Sequence, residues 1–71
     1  MATPEESAKH ILHILKRRNV KRGEVEMQGA IELEFLTKGG TADEFKEGMN
    51  FAIGKKWIEV EPSKVRLLKD G

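Results

Sequence analysis

The chain has 71 residues, enough for one modest hydrophobic core, and we expect residues 1–71 to form a single domain. It contains no cysteine, which excludes disulfides and thiolate metal sites and favours a cytoplasmic protein, and no apolar run approaches the length of a membrane span. The 13 basic and 12 acidic side chains give a net charge of +1, lower than that of most dedicated nucleic-acid binders.

The first predicted element is a helix over about residues 4–18. Thr3 is suited to the N-cap, Pro4 to the first helical position, and Glu6 to the return bond of a capping box. The expected buried stripe contains Ala8, Ile11, Leu12 and Leu15, with Ile14 at its edge. The opposite side contains Lys9, His10, His13, Lys16 and Arg17. We expect no metal site at the two histidines, because no cysteine or third histidine can complete it.

Charge is distributed unevenly along the first half of the chain. Residues 9–22 contain six lysines and arginines and no acid: Lys9, Lys16, Arg17, Arg18, Lys21 and Arg22. Four acids follow: Glu24, Glu26, Glu32 and Glu34. This pattern predicts a basic side and an acidic, solvated side. The basic run has two interpretations. It contacts nucleic acid or an acidic protein, or it is a solvated surface whose charges stabilise the C-terminus of the first helix.

Two segments follow the first helix. We expect a short strand near residues 24–26 that pairs with a later hairpin, with Val20 and Val25 reaching the core. Residues 27–36 fit two patterns. Alternation of the apolar residues at 31, 33 and 35 with Glu32 and Glu34 suits a half-buried strand. Helical spacing is also present, at Met27, Ala30, Ile31 and Phe35. Helix propensity and the Gly39–Gly40 turn ahead of a capped helix favour the helix.

A third helix is predicted over about residues 42–55. Thr41 and Glu44 form a second capping box, and Gly48 inside the helix predicts close approach of another helix. The apolar arc of this helix contains Phe45, Gly48, Met49, Phe51, Ala52 and Ile53. A period-two pattern over residues 57–60, a turn at 61–64 and a return over 65–68 then predict a hairpin.

The order of helix, strand, helix, turn, helix and hairpin resembles the winged helix-turn-helix superfamily. The glycine turn, the helix capped by Thr41 and the stretch 48–71, with its short charged tail, carry this resemblance, which covers about residues 5–71. It implies an α+β winged-helix domain of three helices and a short antiparallel sheet with a C-terminal wing hairpin. The expected core contains Ile11, Leu15, Ile31, Phe35, Phe45, Met49 and Ile53, with Trp57 and Val65 closing the sheet side.

In that superfamily the third helix enters the DNA major groove and the wing contacts the backbone or minor groove. The resemblance therefore implies a module that binds double-stranded DNA and has a regulatory role in transcription. Lys46 and Asn50 would read bases, since their side chains suit base edges. The expected phosphate contacts are Lys55, Lys56, Lys64 and Arg66.

The alternative is a protein-interaction module on the same scaffold. Asp43 and Glu47 lie on the expected outer face of the third helix, where they would repel phosphates but could meet a partner chain. Phe51 and Ile14, each at the margin of an apolar stripe, are expected in the core, or would support self-association if exposed.

No nucleophile–base pair, metal set or cofactor motif occurs in the sequence. We therefore expect no enzyme, no catalytic residue, no cofactor, no small-molecule substrate and no membrane partner.

Overall fold

The computed structural model describes residues 3–61 and 63–68, which contain three helices, three strands and the segments that connect them. In chain order they are α1 (Pro4–Arg17), β1 (Val25–Met27), α2 (Gln28–Thr37), α3 (Ala42–Gly54), β2 (Ile58–Glu61) and β3 (Lys64–Leu67). This α+β arrangement, with its antiparallel sheet and C-terminal hairpin, confirms the predicted fold class. The segment that fitted both helix and strand is α2. Pro62 of the predicted turn and the tail 69–71 lie outside the described residues.

The sheet has the strand order β1-β3-β2, and both pairings are antiparallel. The predicted early strand does pair with the hairpin. Val65 and Leu67 of β3 are buried beneath the helices, so Lys64 and Arg66 point to the outer face of the sheet. Val25 pairs with Arg66 and is exposed there, so the prediction that Val25 enters the core is wrong. Val20 is buried, as predicted.

Both predicted capping boxes are present. At α1 the Thr3 hydroxyl accepts a hydrogen bond from Glu6 N–H at 3.1 Å, and the Glu6 carboxylate accepts one from Thr3 N–H at 2.9 Å. The bond from the Thr3 backbone lowers the pKa of the Glu6 carboxyl below its ordinary value. At α3, Thr41 and Glu44 make the same pair of bonds, each 3.1 Å long. These caps place the start of α3 directly after the glycine turn.

α1 and α3 pack closely at Gly48, as the glycine predicted. A Cβ atom at Gly48 would lie 2.7 Å from the Cβ atom of Ser7 and 3.0 Å from the backbone nitrogen of Ala8. Distances this short leave no room for a side chain. Gly48 therefore sets how near the two helices approach each other, and that packing holds the outer face of α3 towards solvent.

Among the residues predicted for the core on the helices, Ile53 is an exception, because it is 40% exposed. Ile14 lies at the margin of the α1 stripe but was expected in the core, and it is fully buried. The apolar arc of α3 is wider than the part of it that α1 and the sheet cover. Ile53 lies at the margin of this arc and therefore remains in solvent. At the other margin, Phe51 is half-buried and meets Trp57 edge to face at 5.6 Å. The confirmed core residues are Ile11, Leu15, Ile31, Phe35, Phe45, Met49 and Val65.

Candidate nucleic-acid interface

Lys46 and Asn50, the predicted base readers, lie one turn apart on the exposed face of α3. Both line a groove that runs between the start of α2, α3 and strand β2. Asp43 of α3 and Glu32 of α2 line the same groove, so it contains both signs of charge. Glu47 is also exposed on α3. As predicted from the sequence, this helix face is not uniformly basic.

The groove also has an apolar part that sequence reasoning missed. Ile53 of α3 and Val60 of β2 are 40% and 39% exposed, and Phe45 and Met49 lie beside them as buried lining residues. Val60 occupies a position opposite Val65, on the face of the sheet that packs against the helices, but it lies near the hairpin end, where the helices cover it incompletely. The wide apolar arc of α3 was the only sequence signal for this patch.

Lys55 and Lys56 form the connection between α3 and β2. Lys55 is the C-cap of α3, and its N–H donates to the Phe51 carbonyl at 3.0 Å, while Lys56 N–H donates to the Ile53 carbonyl at 3.0 Å. The ammonium of Lys55 lies 5.6 Å from the centroid of the Phe51 ring, which is within cation–π range. The backbone thus anchors two exposed lysines at one end of α3.

The hairpin offers one free cation and one that is engaged. Lys64 is exposed and makes no ion pair with a described residue. Arg66 donates from Nη2 and Nε to the Glu61 carboxylate at 2.7 and 3.0 Å, and from Nη1 to the Gly23 carbonyl at 3.0 Å. The bond to Glu61 raises the pKa of Arg66. Arg66 would have to give up these partners to contact a phosphate, so its guanidinium is less available to a ligand than Lys64 is.

The predicted separation into a basic and an acidic side is wrong where α1 ends. Arg17 donates to Glu34 at 2.9 Å, and Arg18 donates to Glu26 at 2.9 Å and to Glu34 at 3.2 Å. These bonds connect α1 to both α2 and β1. The two arginines and two glutamates therefore form one cluster of ion pairs at the surface, and the remaining members of the basic run belong to a different surface.

We expect this cluster to make the stability of the fold depend on pH in the acid range. The hydrogen bond from Arg18 lowers the pKa of the Glu26 carboxyl below its ordinary value of 4.5. Since the folded state has the lower pKa, the stabilisation is complete above about pH 4.5 and is lost as the pH falls through the lowered value. We expect Glu26→Gln to be less stable than the parent chain at pH 7 and to show a flatter loss of stability below pH 4.5.

Urea denaturation at several pH values from neutral to acidic measures this effect. Glu47→Gln is the matched control, because Glu47 is an exposed acid with no ion pair to a described residue. Parallel pH profiles for Glu26→Gln and the parent would contradict a role for the Glu26–Arg18 bond in acid stability.

The two histidines have different surroundings. His10 was placed on the solvent side of α1, but it is half-buried with its ring 4.8 Å from that of Phe35, whereas His13 is exposed. Burial lowers the pKa of His10 below its ordinary value. Within residues 3–61 and 63–68, no three histidines, cysteines or acids are grouped so as to hold a metal ion. None of the three helices combines the length and apolar character needed to cross a bilayer.

Comparisons of the chain with protein-family models, with curated proteins and with solved structures found no match. The winged-helix assignment therefore remains a prediction from the order of the elements and the residues that form them.

Proposed function

We propose that this chain is a DNA-binding module that contacts the phosphates of a duplex through α3 and the C-terminal hairpin. The observation that carries the proposal is a set of four exposed lysines that make no ion pair with a described residue: Lys46, Lys55, Lys56 and Lys64. They lie on α3, on its connection to β2 and on the hairpin. Each can neutralise one phosphate and release its counterions, which gives affinity without sequence preference.

Base reading contributes little in this proposal. Lys46 and Asn50 are the two side chains on the outer face of α3 whose chemistry suits base edges. Asp43 and Glu47 lie on the same helix and repel phosphates at close range. The expected complex is therefore weak, dependent on salt and tolerant of sequence. The resemblance to winged-helix proteins supports this use of α3 and the hairpin.

A non-enzymatic role in transcription regulation within the cytoplasm belongs to the same proposal. It is supported by the absence of cysteine from the sequence and by the lack of any nucleophile–base pair in it. No cofactor is needed for phosphate contact.

Charge reversal at single positions tests the proposal. We expect Lys46→Glu and Lys64→Glu each to weaken binding to a mixed-sequence duplex and to reduce the salt slope by about 1, because each removes one phosphate contact. Fluorescence anisotropy of a labelled duplex measures both quantities. Lys38→Glu is the control, because it makes the same change in net charge at an exposed lysine that caps α2 and makes no ion pair with a described residue. Equal losses in all three variants would contradict a contact at α3 and the hairpin.

A second candidate is a protein partner, favoured by the exposed pair Ile53 and Val60 in the α3 groove. Apolar side chains at the centre of a groove with charged residues at its rim are typical of peptide docking sites. Ile53→Ser distinguishes the candidates. It should leave duplex binding unchanged if DNA is the ligand, and it should abolish self-association or partner binding if protein is the ligand. Sedimentation velocity on the isolated chain detects self-association directly.

A further inference from the structure

A second groove lies along the exposed side of α1, where it faces the 19–22 connector and the end of β3. Five of its lining residues are basic: Lys9, His13, Lys16, Lys21 and Arg22. Among the described residues, no acidic side chain lines it. It shares no residue with the α3 groove or with the four lysines of the proposed DNA contact. The sequence signal was the acid-free run 9–22, but the packing of α1 decides which of its cations belong here.

Most basic side chains of this groove make no ion pair with a described residue. Arg17 and Arg18 turn towards the acids of α2 and β1, whereas Lys16, Lys21 and Arg22 make no ion pair with a described residue. Lys9 lies 3.3 Å from Glu5, but both side chains are more than half exposed, so this pair contributes little. The positive charge of the groove is therefore available to a ligand.

Besides Glu5, a second acid, Glu24, lies near the groove. A carboxylate oxygen of Glu24 accepts a hydrogen bond from Lys21 N–H at 2.8 Å. This bond holds Glu24 against the backbone of the connector, and Glu24 is not among the lining residues of the groove. It offsets one of the cations without closing the groove.

The floor of the groove indicates which polyanion fits. Its apolar members, Leu12, Val20 and Leu67, are all buried, so they offer little area to an apolar anchor of a peptide. No aromatic side chain of the described residues lines the groove, so they offer unpaired bases nothing to stack on. What the groove presents is lysine and arginine side chains from α1 and the connector, and such cations neutralise the phosphates of a double helix.

We propose that this α1 groove binds the sugar–phosphate backbone of double-stranded nucleic acid. It would be a second phosphate-binding surface, separate from α3 and the hairpin. The groove does not depend on α3 reading DNA: a duplex could bind at α1 even if α3 and the hairpin contribute nothing.

Neutralisation on each surface tests the two proposals separately. We expect the triple variant Lys16→Gln, Lys21→Gln, Arg22→Gln to weaken duplex binding about tenfold or more and to reduce the salt slope by about 2–3, because up to three phosphate contacts are lost. The matched triple, Lys46→Gln, Lys55→Gln, Lys56→Gln, removes the same charge from the α3 surface. Lys38→Gln reports the effect of losing one positive charge away from both surfaces.

The two triple variants identify the binding surface by which of them loses affinity for the duplex. If only the α1 triple loses affinity, the groove is the binding surface and the α3 proposal fails. If only the α3 triple loses affinity, the groove proposal is overturned. Tighter binding of poly-glutamate than of duplex by the parent chain would also overturn it, because the groove would then be a site for acidic peptides.

Amide chemical-shift mapping of the parent chain protects the test against a variant that misfolds. On titration with a mixed-sequence duplex of about 20 base pairs, we expect shifts at residues 9–22. Shifts confined to α3 and the hairpin, or absent at low salt, would overturn the proposed groove.

Discussion

Phe35→Ala should lower the free energy of unfolding by about 3–5 kcal/mol, enough to unfold much of a small domain. Phe35 belongs to α2 and is 2% exposed. Its side chain packs against both α1 and α3. Its ring meets that of Phe45 of α3 edge to face at 5.5 Å and that of His10 of α1 at 4.8 Å. Removing the ring therefore leaves a cavity where all three helices meet. Urea denaturation followed by circular dichroism measures the loss.

Two variants control for this substitution. Leu33→Ala removes a large side chain from the same helix, but Leu33 is 67% exposed, so we expect a change of less than about 0.5 kcal/mol. Phe35→Leu keeps part of the buried volume and should give an intermediate loss that can be measured if Phe35→Ala does not fold. Equal effects of Leu33→Ala and Phe35→Ala would show that Phe35 is not at the centre of the core.

Gly48→Ala should destabilise the domain by about 1–3 kcal/mol, although alanine favours a helix interior by about 1 kcal/mol. The new methyl group would lie 2.7 Å from Ser7 Cβ and 2.8 Å from the Ser7 carbonyl carbon. The backbone of α1 cannot move aside as the end of a flexible side chain would. The helices must separate, which disturbs the packing of α1 against α3. Thermal unfolding should show a midpoint lower by several degrees.

Gly54→Ala is the matched control in the same helix. A Cβ atom there would meet nothing within 4 Å, so we expect no loss of stability. If Gly48→Ala were as stable as Gly54→Ala, the close approach of α1 and α3 at Gly48 would be wrong.

The local signals of the sequence predicted most of the helices and the hairpin. Thr3 and Thr41 begin α1 and α3 because their capping bonds connect residues three apart, which spacing alone reveals. α2 could not be decided from periodicity, since its apolar residues fit both patterns. Tertiary structure settles it: Met27 completes β1, and Gln28 N–H then donates to the Ser63 carbonyl at 3.0 Å as the helix begins.

The charged surfaces could be predicted only in part, because ion pairs join distant residues. The exposure of Lys46 and Asn50 followed from the phase of α3. The hydrogen bonds from Arg18 to Glu26 and Glu34 could not be predicted from the sequence, since they connect different elements. The salt bridge between Arg66 and Glu61 likewise depends on how β2 and β3 pair.

The salt dependence of duplex binding by the parent chain tests the proposed function most directly. The association constant for a mixed-sequence duplex would be measured between about 50 and 200 mM salt. We expect a linear fall of its logarithm with the logarithm of salt concentration, with a slope of about −3 to −4 from the four lysines Lys46, Lys55, Lys56 and Lys64, and a steeper slope if the α1 groove holds the same duplex. A flat response, or no duplex binding at the lowest salt, would contradict nucleic-acid binding by either surface.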